Sequence, residues 1–264
     1  MADGVIERRP YRSKFAVAYF ILAAVVGVAV AAFIVVASSS DTATPSAGGD
    51  GSKPAAWNGF QPTGFVADQV NLIALHVSST YHLPHGKQLV AVKASIPPSF
   101  QNSLIITDYA VSYSSGGQTG YQVIPAADSV TYELCGLGAD CAIASGKPSL
   151  ARSLLLRREA LELALYTFHF EPSIQTVVTY MPPAAGQKAS FVYLFVRNQP
   201  AISDALRRPI SATLPEVKPP LPSQISPTEA TTVDELTAPD LYRFSFTRGQ
   251  DGGVWLVFNP SGIS

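Results

Sequence analysis

The sequence predicts an α+β extracytoplasmic domain, a mainly antiparallel sheet with two main helices, preceded by one transmembrane helix. Three observations lead there. An unbroken apolar run, Phe15 to Val36, sits near the N-terminus. Two later stretches carry apolar residues at helical spacing. The rest divides into short β-branched and aromatic runs bounded by glycine and proline, the pattern of strands joined by turns.

The apolar run carries no charge and has about the ~20 residues that cross a ~30 Å hydrocarbon core as a helix. Arg8, Arg9, Arg12 and Lys14 precede it; Ser38, Ser39, Ser40 and Asp41 follow, with no further basic residue until Lys53. Basic residues flanking a span stay on the cytoplasmic side. Residues 1–14 are therefore expected in the cytoplasm, 15–37 in the plasma membrane, and the remainder outside. A cleaved signal peptide, cut after Ala29-Val30-Ala31, is the rival. Such cores run only ~7–15 residues, whereas this one continues through Phe33, Ile34 and Val36. Residues 38–58, rich in Ser, Thr, Gly, Asp, Pro and Ala, read as a flexible linker.

The 264 residues leave room for roughly one further domain, and a net charge of −1 gives no reason to expect nucleic acid as a partner. The only two cysteines, Cys135 and Cys141, enclose a short glycine-containing loop on the predicted outer side. An exported location favours their oxidation to a disulfide. Their spacing is not the C-x-x-C of thiol redox sites.

Residues 59–213 are expected to form the domain. Val70, Ile73, Ala74, Val77 and Tyr81 mark a helix over Val66–Tyr81, stopped by Pro84 and Gly86. Leu89–Ser95 reads as a strand, halted at Pro97-Pro98, and Leu104–Tyr113 as another. Tyr121–Ile124 and Ser129–Leu134 continue the strand region to the cysteine loop. Ser149–Phe168, capped by Ser149 and rich in Leu, Ala, Arg and Glu, is the most regular helix. Two strands, Ile174–Met181 and Ser190–Arg197, follow, then a short helix over Ala201–Arg208. Residues 214–239, rich in Pro, Thr, Ser and Glu, read as a semi-extended connector. Leu241–Phe246 and Val254–Phe258 form a hairpin within 240–264. With Phe244, Trp255 and Phe258 it is too apolar to stand alone. It should dock on the main sheet; the alternative is an interaction surface that joins a partner's sheet or the bilayer.

The chain holds no H-E-x-x-H, EF-hand, G-x-S-x-G or S-x-x-K motif, so no catalytic residue is assigned. Gly146-Lys147-Pro148 lacks the Ser or Thr of a phosphate loop. His76, His82 and His85 lie near one another in sequence but lack a third ligand at a telling spacing, so neither metal nor cofactor is expected. Asp108, Glu133, Glu159, Glu162 and Glu171 are the carboxylates available for acid–base work.

The sharpest anomaly lies on the long helix. Leu150, Leu154, Leu161, Leu165 and Phe168 share one stripe, and Arg157 falls inside it, while Arg152, Glu159 and Glu162 group on another side. Burying that guanidinium demands a partner. The bland partner is a carboxylate such as Glu133 or Asp128, or water reached by snorkelling. The functional alternative is an anion-binding pocket built from Arg157, Arg158 and Glu133.

The stretch from the cysteine loop through Leu155–Phe168 resembles a pattern found in uncharacterised single-pass envelope proteins of actinobacteria. That resemblance implies a cell-envelope setting and no activity. The expected function is a membrane-anchored envelope protein with a non-catalytic interaction or scaffold domain, its partners the bilayer and another envelope protein. The alternative is an exported enzyme or ligand-binding domain that recognises an anionic glycan or lipid through Arg157.

Overall fold

The computed structural model describes Trp57 and residues 59–83, 86–101, 103–115, 118–143, 149–215, 225–250 and 252–261. The expected transmembrane helix at 15–37 lies outside the described residues, as does nearly all of the 38–58 linker. Among the described residues no helix is long and apolar enough to cross a membrane.

The domain is α+β, with four helices and a mixed, mainly antiparallel sheet. Its elements are α1 (Val66–Ser78), β1 (Ala91–Ser95), β2 (Ser99–Phe100), β3 (Leu104–Ile105), β4 (Asp108–Ser115), β5 (Gln118–Pro125) and β6 (Ser129–Cys135). Then come α2 (Leu150–Phe170), β7 (Thr176–Tyr180), β8 (Phe191–Val196), α3 (Pro200–Leu206), α4 (Pro227–Thr237), β9 (Leu241–Arg248) and β10 (Val254–Pro260). The eight-stranded sheet runs β1-β6-β7-β8-β9-β10-β4-β5, with β2 and β3 a separate small hairpin. Pairs β6–β7 and β10–β4 are parallel; the others are antiparallel.

The order of strands forces the sheet to bend. Only three residues, 126–128, join β5 to β6, although six strand spacings separate them in the sheet. A flat sheet would need about 29 Å there at ~4.8 Å per strand. The link from Pro125 to Ser129 reaches at most about 15 Å. The sheet therefore curls until β4 meets β6, where Tyr109 Oη and Ser129 Oγ lie 2.7 Å apart in a buried hydrogen bond. Curling splits the interior in two. Val130, Tyr132, Leu134, Val177, Tyr193 and Phe195 face the helices. Tyr109, Val178, Tyr180, Val192, Leu194, Leu256 and Phe258 fill the inside of the curl.

The C-terminal hairpin docks on the main sheet and becomes its centre, β9 pairing with β8 and β10 with β4. This is the docking expected of it, in place of the alternative interaction surface. Phe258 is fully buried, and Phe244 and Trp255 are partly buried. β10 is paired on both sides, by β9 and β4, whereas β9 pairs with β10 along its length and with β8 over Leu241–Arg243.

Four other expectations change. Residues 225–240 are not an extended connector: Ser226 caps α4, its Oγ accepting from Glu229 N at 3.2 Å, and Val233 and Leu236 are buried. Trp57, assigned to the linker, is 4 % exposed and stacks on His169 at 4.1 Å, so the domain begins before residue 59. Helix α1 ends at Ser78, which leaves Tyr81 outside it and buried. The run Leu104–Tyr113 divides into β3 and β4.

Candidate functional site

The arginine pair on α2 sits differently from the stripe the sequence suggested. From Leu155 to Phe168 every residue but Arg157 is buried, Glu159 and Glu162 included, while Leu150 is 92 % exposed. The helix lies on the sheet and is flanked by α1 and α4, so it has no single apolar face. Arg157 points to the periphery. Its Nη2 contacts Asp234 Oδ1 at 2.5 Å and its Nε donates to Thr237 Oγ1 at 2.9 Å, both on α4. Its partner is therefore neither Glu133 nor Asp128, and it joins no pocket with Glu133.

Arg158 is the buried cation, 1 % exposed. Its Nε donates to Glu229 Oε1 at 2.6 Å; its Nη1 donates to Tyr81 Oη at 2.6 Å and to Glu162 Oε2 at 3.0 Å. Tyr81 in turn donates to Glu162 Oε2 at 2.5 Å. Burial alone would lower the Arg158 pKa, but Tyr81, Glu162 and Glu229 outweigh it and hold the guanidinium charged. Glu159 is fully buried, and neither carboxyl oxygen has a hydrogen-bond partner among the described residues. Burial, aided by the Glu162 charge, pushes its pKa well above the usual carboxylate range. This cluster pins α2 to α4 and to the chain after α1, and it is closed to a ligand.

The place open to a ligand lies at the mouth of the curl. A cavity of about 810 Å³ is bounded by the ends of β6 and β7, by β9, by the β2–β3 hairpin and by the 183–189 loop. Its construction follows from strand alternation. Registers Lys93↔Glu133 and Glu133↔Tyr180 place those three residues in one row across β1, β6 and β7. On β9, Phe244 and Phe246 are two residues apart and face the same way. The β2–β3 hairpin folds over this face. Thr131 Oγ1 accepts from Ser99 N at 3.2 Å and donates to Ser99 O at 3.0 Å. Phe100 drops between Tyr180, Phe244 and Phe246, its ring centroid 4.8, 5.6 and 5.2 Å from theirs. Beside it Gln101 holds φ 51°, a left-handed conformation that costs a non-glycine residue about 1 kcal/mol.

The polar side of the cavity carries Gln101, Glu133, Asp140, Gln187 and Lys188. Half-burial raises the Glu133 pKa, with Lys93 pulling the other way. Tyr180, 1 % exposed, has an Oη without a partner among the described residues. Burial raises its pKa well above the usual phenol range, and the neighbouring Tyr109 and Glu133 add to that. Asp140 and Cys141 reach the cavity through the cysteine loop, where the Cys135–Cys141 disulfide closes with an S–S distance of 2.00 Å. Gly136 is required there: a Cβ would stand 2.3 Å from the Ala142 carbonyl oxygen.

Of the residues singled out from sequence, the cavity gathers Glu133 and Phe244 and takes one wall from Cys141. It excludes Arg157, Arg158, Trp255 and Phe258. His76 stacks on Phe60 at 4.0 Å, His82 forms a β-bridge with Gln88, and His85 lies outside the described residues. Among the described residues no three His, Cys, Asp or Glu side chains are grouped to hold a metal ion. Phe100, Tyr180, Phe246 and Lys188 were not signalled by any motif. The alternation Tyr242, Phe244, Phe246 was the available clue, since it aligns three rings on one face of a strand. Comparison with protein-family models, with curated proteins and with solved structures finds no match to this chain.

Proposed function

We propose that this chain is a single-pass, membrane-tethered binding protein of the cell envelope. Its exported domain holds a ligand in the cavity beneath the β2–β3 hairpin. The observation that carries this is the cavity itself: about 810 Å³, with Phe100, Phe244 and Phe246 on one side and a half-buried carboxyl on the other. That volume and that mix of aromatic wall and few polar groups are usual for small-molecule sites. The tether rests on the Phe15–Val36 run and on the arginines before it. An exported setting is supported by the disulfide, which a reducing cytoplasm would not maintain. Ligand capture replaces protein docking as the favoured role because the aromatic hairpin is spent inside the sheet. The Arg157 route to an anionic ligand is dropped for the same kind of reason: Asp234 already occupies that guanidinium.

Two measurements test the proposal. Protease added outside intact cells should digest the domain and spare the N-terminus; protection of the domain would end the topology. Full-length wild type and Ala189→Trp, which fills the cavity, are purified from their own membrane and their bound small molecules analysed. Glycan or lipid on the wild type alone supports the site, and identical material on both sinks it.

A further inference from the structure

We infer that the ligand of this cavity is a neutral oligosaccharide, held by one pyranose ring on the Phe244–Phe246 wall. The inference rests on the cavity being a binding site and adds the class of ligand. A pyranose has two chemically different aspects: a face of polarised C–H bonds and a rim of adjacent hydroxyls that both donate and accept. Aromatic rings with electron-rich faces match the first. The cavity supplies Phe244 and Phe246, edge-to-face with centroids 5.6 Å apart and partly exposed, with Phe100 packed against both.

The hydroxyl rim calls for flat side chains with paired hydrogen-bonding atoms. The polar side of the cavity consists of such groups: the amides of Gln101 and Gln187 and the carboxyls of Glu133 and Asp140. The Tyr180 hydroxyl lies beneath, buried and without a partner among the described residues, next to Glu133 in the row across β6 and β7. Charge selects against the alternatives. Among the described residues the lining cation Lys188 and Lys93 beside Glu133 balance the two acids Glu133 and Asp140, so the cavity offers no net charge to a strongly anionic polymer. A purely apolar acyl chain would strand the amides and carboxyls without partners. A neutral polyol satisfies both sides.

The test uses the full-length chain in nanodiscs, with empty nanodiscs as blank. Saturation-transfer NMR is recorded with maltotriose, with N,N′,N″-triacetylchitotriose, with indole as a probe of the cavity irrespective of class, and with a tri-phenylalanine peptide. At least one sugar should receive saturation at its ring protons. Its affinity should fall at least tenfold in Phe246→Ala and in Gln187→Ala, whose side chain is exposed and does not support the fold. Arg157→Ala, outside the cavity, should leave binding unchanged. Indole binding, displaced by Ala189→Trp, with no transfer to either sugar would overturn the sugar assignment and leave the cavity standing. Stronger binding of the peptide than of both sugars would reassign the site to polypeptide. If neither indole, sugar nor peptide binds, the site and its ligand class fall together.

Discussion

Arg157 and Arg158 are neighbours in sequence with opposite energetic roles. Arg157 is 19 % exposed and faces an Asp234 that is 61 % exposed. Water screens such a pair, so Arg157→Ala should cost no more than about 1 kcal/mol in urea unfolding. Arg158 and Glu229 are 1 % and 0 % exposed. Arg158→Leu leaves Glu229 and Glu162 buried without their cation, a loss of about 3–5 kcal/mol that should deepen as pH rises from acid to neutral. Equal losses in the two variants would contradict this division. Asp240 gives a cleaner pH signal. Burial raises its pKa to about 6, opposed by the hydrogen bond from Gln199 Nε2 at 2.8 Å. A raised carboxyl favours the folded state when protonated, so its contribution is full below the unfolded pKa of ~3.9 and is lost as pH rises through 6. Asp240→Asn should flatten the decline in stability between pH 4 and 6 and gain up to about 3 kcal/mol at pH 7. An unchanged pH profile would count against it.

At the level of elements, α4 is held by local and distant terms together. Ser226 caps it in the pattern Ser226-Pro227-Thr228-Glu229, a recognisable helix start, yet Glu229 looks inward to Arg158 instead of outward to water. Ser226→Ala should cost about 1 kcal/mol, read as a shift in the unfolding midpoint. The segment Trp57–Phe60 shows a similar dependence. Trp57 stacks on His169 and meets Tyr166 edge-on at 5.4 Å, while Phe60 stacks on His76. Burial lowers the pKa of both histidines. This clamp fixes where the chain from the expected membrane span enters the domain. Trp57→Ala should lose about 3–5 kcal/mol, whereas a true linker residue would lose nothing measurable.

Across the whole molecule, two layers of core are built on one bent sheet. The bend exists because β5 and β6 are joined by too short a link to span a flat sheet, and the cavity exists because the β2–β3 hairpin caps the open end of the bend. The disulfide at that end constrains a short loop, so replacing Cys135 and Cys141 by Ser should cost about 2 kcal/mol and leave the fold intact. Collapse of the fold would mean that the loop carries more than chain entropy. Buried carboxyls and half-buried histidines act in opposite directions on the pH curve. Glu133, Glu159, Glu162 and Asp240 favour protonation in the fold, His76 and His169 oppose it. The carboxyl contribution is full below the unfolded carboxyl pKa and is lost as pH rises. The histidine contribution is full above ~6.5 and is lost as pH falls, so the two partly cancel across the window between them.

Local signals in the sequence settled the elements: β-branched and aromatic runs for β6 to β10, a cap and a good helix composition for α2, the hairpin turn at Gly249–Gly253, and a cysteine spacing that a loop can close. The α+β class follows from those, as does the proximity of Cys135 to Cys141. Only the tertiary structure decided which faces are buried. Periodicity finds a buried stripe when a helix has one wet side; α2 is covered nearly all round, so the pattern pointed to Arg157 while the buried cation was Arg158. Strand order is equally invisible locally, because β9 and β10 pair with segments about fifty and about one hundred and fifty residues earlier in the chain. That insertion consumed the surface that composition had offered to a partner. It also brought Phe244 and Phe246 opposite Glu133 and Tyr180, and so made the cavity.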